Sequence, residues 1–100
     1  MTTTDTTRTA ALDRASELVE QIAARAGVET TTDRDGRATI VLCDGLRVRE
    51  VRTTTAWTGR DSAAPAVEVY EYVDYGTYGR SFVALREYRS VAAAVRYLTA

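Results

Sequence analysis

No histidine, lysine or asparagine occurs among the 100 residues, and cysteine, proline and tryptophan occur once each. Each absence removes chemistry. Without histidine there is no Ser-His-Asp triad and no imidazole acid–base pair. Without lysine there is no Schiff base and no phosphate-loop lysine. A zinc site needs more soft ligands than one cysteine supplies. A lone cysteine cannot close an internal disulfide, so a reducing, cytoplasmic setting is expected. No stretch approaches the ~20 apolar residues that span a bilayer, so no membrane partner is expected. Met1–Ala10 lacks the apolar core of a secretory signal. The chain thus reads as a non-catalytic protein with no cofactor and no metal.

What remains is ordinary for a soluble domain. Hydrophobic residues make up 45% and charged residues 27%, with a formal net charge of −1. These values are close to globular averages and far from those of disordered chains. One domain suits this length. All 13 basic residues are arginine. Together with the many alanines, this reads as the coding bias of a GC-rich genome, in which arginine stands where lysine otherwise would. Residues 1–9 are threonine-rich with no apolar anchor, so they are expected to form a disordered tail ahead of a single α+β domain at 10–100.

Hydrophobic periodicity supplies the elements. Ala11, Leu12, Ala15, Leu18, Val19, Ile22, Ala23 and Ala26 recur at helical spacing, with Thr9 as candidate N-cap and Gly27 as candidate C′ residue. Period two follows. Val28–Thr32 reads as a weak strand, and Asp33–Gly36 as a turn. Arg37–Cys43 is apolar on both faces at Ile40, Val41 and Leu42, which predicts a central strand with Cys43 as a small buried hydrophobe. Asp44-Gly45 predicts a hairpin. Leu46–Thr58 is the next strand. Its parity slips between Val48 and Val51, which predicts a bulge near Arg49–Glu50. Gly59–Pro65 reads as a loop. Ala66–Val73 sends Val67, Val69 and Val73 to one face and Glu68, Tyr70 and Tyr72 to the other. After the Asp74–Gly79 turn, Arg80–Tyr88 reads as a strand, and Ser90 caps a helix over Val91–Thr99. Residues 81–90 also fit the start of a longer C-terminal helix. The fold expected is a two-layer α+β sandwich: an antiparallel sheet of four to five strands, with an N-terminal and a C-terminal helix on one face.

Tests for nucleic-acid motifs come out against. Gly79, Phe82 and Val83 fit part of the RNP1 pattern of RNA-recognition motifs, but Arg80 replaces the first stacking aromatic and no strand follows the last helix. Gly76-Thr77-Tyr78-Gly79 has the GXXG spacing of KH domains but joins strands, not helices. Arg47, Arg49, Arg52, Arg86 and Arg89 form two locally basic stretches. They are the alternative site, an arginine-based nucleic-acid surface, against which the net charge weighs. The acidic side chains, Glu68 and Glu71 among them, read as solvated surface.

The aromatic cluster is the most informative feature. Tyr70, Tyr72, Tyr75 and Tyr78 crowd together with Arg80 just beyond, and Trp57 is placed near the same side. Tyrosine, tryptophan and arginine are enriched at interface hot spots. If both helices cover the valine face, these residues form an open, Tyr/Arg-bearing face for a protein partner. The simplest partner is a second copy, since twofold dimers are the commonest soluble oligomers. The function expected is a small protein-binding module. Such a chain suits a phage or mobile-element accessory protein, or an inhibitor of a host protein.

Overall fold

The structure is a computed structural model that describes residues 3–57 and 63–99. Its elements, in chain order, are helix α1 (Thr3–Ala26), strands β1 (Thr31–Thr32), β2 (Ala38–Asp44), β3 (Arg47–Trp57) and β4 (Ala63–Asp74), a single 3-10 turn (Gly76–Tyr78), strand β5 (Arg80–Tyr88) and helix α2 (Val91–Thr99). The strands form one antiparallel sheet in the order β1-β2-β3-β4-β5, and the two helices pack on it in an α+β two-layer arrangement. Each strand therefore pairs with its sequence neighbour, as a meander of short connections requires.

The helix stripe builds the core from one side. Ala11, Ala15, Val19, Ile22 and Ala23 of α1 are buried, and Ala94 and Leu98 of α2 join them. From the sheet, Ala38, Ile40, Val51, Val67 and Val69 face the helices and close the same cluster. Leu18, Leu42, Tyr88, Val91, Val95 and Tyr97 pack at its margin. Small alanines let α1 approach the sheet closely, while the branched residues fill the space. Ser16 Oγ on α1 accepts from the Ala38 amide at 2.8 Å, so the helix also holds the start of β2 by a hydrogen bond.

Local chemistry sets the boundaries. Gly27, with φ of 72°, lets the chain leave α1. The Val28 amide then donates back to the Ala23 carbonyl at 3.0 Å, a helix-ending bond that the left-handed glycine makes reachable. Asp33 Oδ1 accepts from the amides of Asp35 and Arg37, which fixes the β1–β2 turn. The Ser90 hydroxyl accepts from the Ala93 amide at 3.4 Å at the start of α2. The strand over 80–88 is thus distinct from the C-terminal helix.

Several expectations change. The backbone is helical from Thr3, so Thr9 lies inside α1 and does not cap it. Threonine is a mediocre helix former, and this segment extends a helix whose later turns are held by packing. β2 is second from the edge, not central, and Val41 is exposed. Cys43 is exposed as well. It shares the outward parity of Val41 and pairs with Val48, so its place opposite the helix layer follows from the pleat. The hairpin turn is Gly45-Leu46, one residue later than expected, with Gly45 at φ 62° and Leu46 exposed. β3 pairs without a register shift on either side. Val48 points to the face opposite the helices and is buried there, so no parity slip needs repair. The irregularity lies elsewhere: β5 carries an extra residue where Glu71 pairs with Ala84 and Tyr72 with Phe82. Of the expected loop Gly59–Pro65, residues 58–62 lie outside the described residues. β4 already includes Pro65, which pairs with Thr55, while β5 pairs only from Val67 onward. Proline is tolerated there because that stretch of β4 is a sheet edge.

Candidate functional site

The face of the sheet opposite the helices carries the tyrosines. The registers Val48 with Tyr72, Glu50 with Tyr70 and Arg52 with Glu68 place these side chains together. Phe82 and Leu85 of β5 extend the row beside Tyr72 and Tyr70. The ring of Tyr72 lies under the Arg80 guanidinium at 4.8 Å, and that of Tyr70 lies near the Arg52 guanidinium at 5.5 Å. Tyr72 O–H donates to Glu50 Oε1 at 2.7 Å, and Arg52 donates to Glu50 Oε2 at 2.6 Å. Tyr70 O–H donates to Glu68. Glu50, Arg52, Tyr70, Tyr72, Arg80 and Phe82 border a shallow depression of about 250 Å³.

These bonds set the phenol chemistry. The hydrogen bond to the Glu68 carboxylate, then burial, raises the Tyr70 pKa above its ordinary value. The bond to Glu50, then burial, does the same for Tyr72. Both phenols are held as proton donors, the form that satisfies the neighbouring carboxylates. The face is therefore a polar lattice laid over aromatic rings, with its carboxylates already engaged.

The residues expected to form a binding site are not equivalent. Tyr72 is only 8% exposed, and Tyr70 is half-buried. Tyr75 and Tyr78 sit at the 3-10 turn, where Tyr78 is 92% exposed. Arg80 is exposed and lies 3.8 Å from Asp74. Trp57 ends β3, and its side chain lies outside the described residues. Beyond the tyrosines, three of the five exposed large apolar side chains among the described residues are on β5, with Phe82 61%, Val83 53% and Leu85 54% exposed; the other two are Val41 and Leu46. The sequence marks the three on β5 as strand formers, and Phe82 and Val83 also as part of the rejected RNP1 pattern. Their exposure arises because β5 is an edge strand with nothing on its outer side among the described residues.

The candidate nucleic-acid arginines do not share one surface. Arg52 lies on the tyrosine face, bonded to Glu50. Arg89 follows β5 and pairs with Glu87 at 3.4 Å. Arg47, Arg49 and Arg86 come together on the other face, where α2 ends. They line a depression of about 470 Å³ with Leu42, Asp44, Glu71 and Tyr97. Glu71, expected to be solvated, is buried at 7% exposure. It occupies the inward parity of Val67 and Val69, and its charge is met by Arg47 and by the Tyr97 hydroxyl at 2.8 Å. A carboxylate at an apolar-parity position was the one sequence signal for this cluster.

Among the described residues, no helix is long and apolar enough to cross a membrane. Compared with family models, curated proteins and solved structures, the chain matches none.

Proposed function

We propose that the protein is a small non-catalytic binding module, that its partner surface is the Tyr/Arg-bearing sheet face together with the outer edge of β5, and that a second copy of the chain is a partner. The observation that supports this reading is the exposed apolar row Phe82, Val83 and Leu85 on β5, an edge strand unpaired on its outer side among the described residues. Such an edge presents free backbone donors and acceptors, and unblocked edges invite another strand.

The residues along β5 favour one register. A twofold axis between Val83 and Ala84 sets Arg80 against the copy's Glu87, and Phe82 against the copy's Leu85. Phe82 and Leu85 are three residues apart, so a regular strand would send them to opposite faces. The extra residue in β5 puts both on the tyrosine face, opposite Tyr72 and Tyr70 respectively. Only then can they meet across a twofold axis in one continuous sheet. Glu87 adds a second reason. It lies directly opposite Glu68 of β4, and facing like charges are unfavourable. The copy's Arg80 would neutralise that pair. Dimerisation would also leave Tyr75 and Tyr78 exposed beside the joined edge, available to a further protein.

Charge reversal tests the register. Arg80→Glu alone, or Glu87→Arg alone, is expected to weaken the dimer about tenfold, because each reverses two symmetric cross-strand pairs. The double variant is expected to recover most of the loss in sedimentation equilibrium. Singles and double that all match the parent would remove this register.

A further inference from the structure

On the helix side of the sheet, the guanidiniums of Arg49 and Arg86 converge on the ring of Tyr97. Both oxygens of buried Glu71 are engaged: Oε1 accepts from Arg47, and Oε2 accepts from the Tyr97 hydroxyl. Arg49 is directly opposite Glu71 in the β3–β4 register, yet it turns to Tyr97. Its Nη1 lies 3.4 Å from the Tyr97 carbonyl, and its guanidinium carbon lies 5.7 Å from the ring centroid. Arg86 approaches the same ring at 5.3 Å. Among the described residues, neither arginine is within ion-pair distance of an acid. Like charges gathered at one ring repel. The ring's negative face offsets part of that repulsion, and a bound anion would remove the rest.

We propose that this depression is a binding site for a small oxyanion, a phosphate or carboxylate group held between Arg49 and Arg86. Guanidiniums present paired N–H donors that match the forked oxygens of either group. The depression, about 470 Å³, has room for the anion and a small organic body. Tyr97 is the positioning residue. Its hydroxyl bond takes up part of the acceptor capacity of Glu71, and its ring sets the approach of the two arginines. Exposed Asp44 at the margin disfavours an extended polyanion, so the occupant is a compact group and not a nucleic-acid strand. The site is on the opposite side of the sheet from the tyrosine lattice and does not depend on the β5 pairing.

The test follows the arginine Nε–Hε resonances of the full chain during titration with inorganic phosphate, acetate and, at matched ionic strength, chloride. Saturable shifts confined to Arg49 and Arg86 are expected with at least one oxyanion and not with chloride. Tighter binding of phosphate or of acetate then identifies the group. Arg86→Gln is expected to weaken binding about tenfold or more, since a charge-assisted contact is lost. Arg89→Gln, just past the end of β5, paired with Glu87 and outside the depression lining, is expected to leave it unchanged. Shifts that follow ionic strength alone, or equal binding by the Arg86→Gln variant, would overturn the assignment.

Discussion

Substituting Ile40 with alanine is expected to lower the stability of the fold by roughly 2–5 kcal/mol. Ile40 is fully buried and faces the helix layer from β2, where it meets Val51 across the strand pair. Truncation removes its transfer free energy and leaves a void, because α1 and β3 are each held by other contacts and cannot collapse into the space. In a domain of this size each kcal/mol moves the thermal midpoint by about 4–8 °C, so the loss is readily measured by denaturant or heat. Leu42→Ala, on the same face but half-buried, is expected to cost less. A loss below ~1 kcal/mol for Ile40→Ala would show that β2 does not pack as described.

The second large effect is on association. Phe82→Asp is expected to abolish dimerisation while leaving the monomer's thermal midpoint nearly unchanged. Phe82 is 61% exposed on β5, so the monomer gives up little buried area. In the proposed pairing each copy buries its Phe82 against Leu85, and a carboxylate there would be desolvated without a partner. A hot-spot loss of at least ~2 kcal/mol, counted twice for the two symmetric copies, corresponds to roughly a thousandfold weaker dimer. Tyr72→Ala behaves in the opposite way. Its ring is buried and its hydroxyl is bonded to Glu50, so that truncation should destabilise the monomer. A Phe82→Asp variant that sediments like the parent would place the partner surface elsewhere.

The fold was largely legible because its signals are local. The alanine-rich stripe of α1, the alternation of β4 and the Asp33–Gly36 turn each depend on residues near one another in the chain. The side a residue faces was less legible wherever both parities are apolar. Val41, Leu42 and Cys43 offer no polar residue to mark the outward side, so exposed Cys43 read as core. In β3, Val48 appeared out of phase because it was assumed to belong to the core. It covers the opposite face, against Tyr72, and the strand runs straight. The candidate sites were partly legible. Tyr70 and Tyr72 were correctly placed on one face, but their burial depends on cross-strand neighbours that no local pattern reveals. The Arg49–Arg86–Tyr97 cluster joins β3, β5 and α2. Residues so far apart in sequence meet only through the sheet order, and Tyr97 in a short amphipathic helix reads as a margin of the core.

The outward Cys43 has a consequence for how this surface can be measured. It is the chain's sole thiol, and it is exposed on β2. A spin label or fluorophore attached there is therefore at one defined position, and a dimer carries two. In a sheet joined through β5, the two labelled strands are separated by seven interstrand steps, about 34 Å at the usual spacing. Joining through the β2 side would bring the same labels to within a few steps of each other. The molecule thus carries its own ruler, and the length it reports distinguishes which edge has closed.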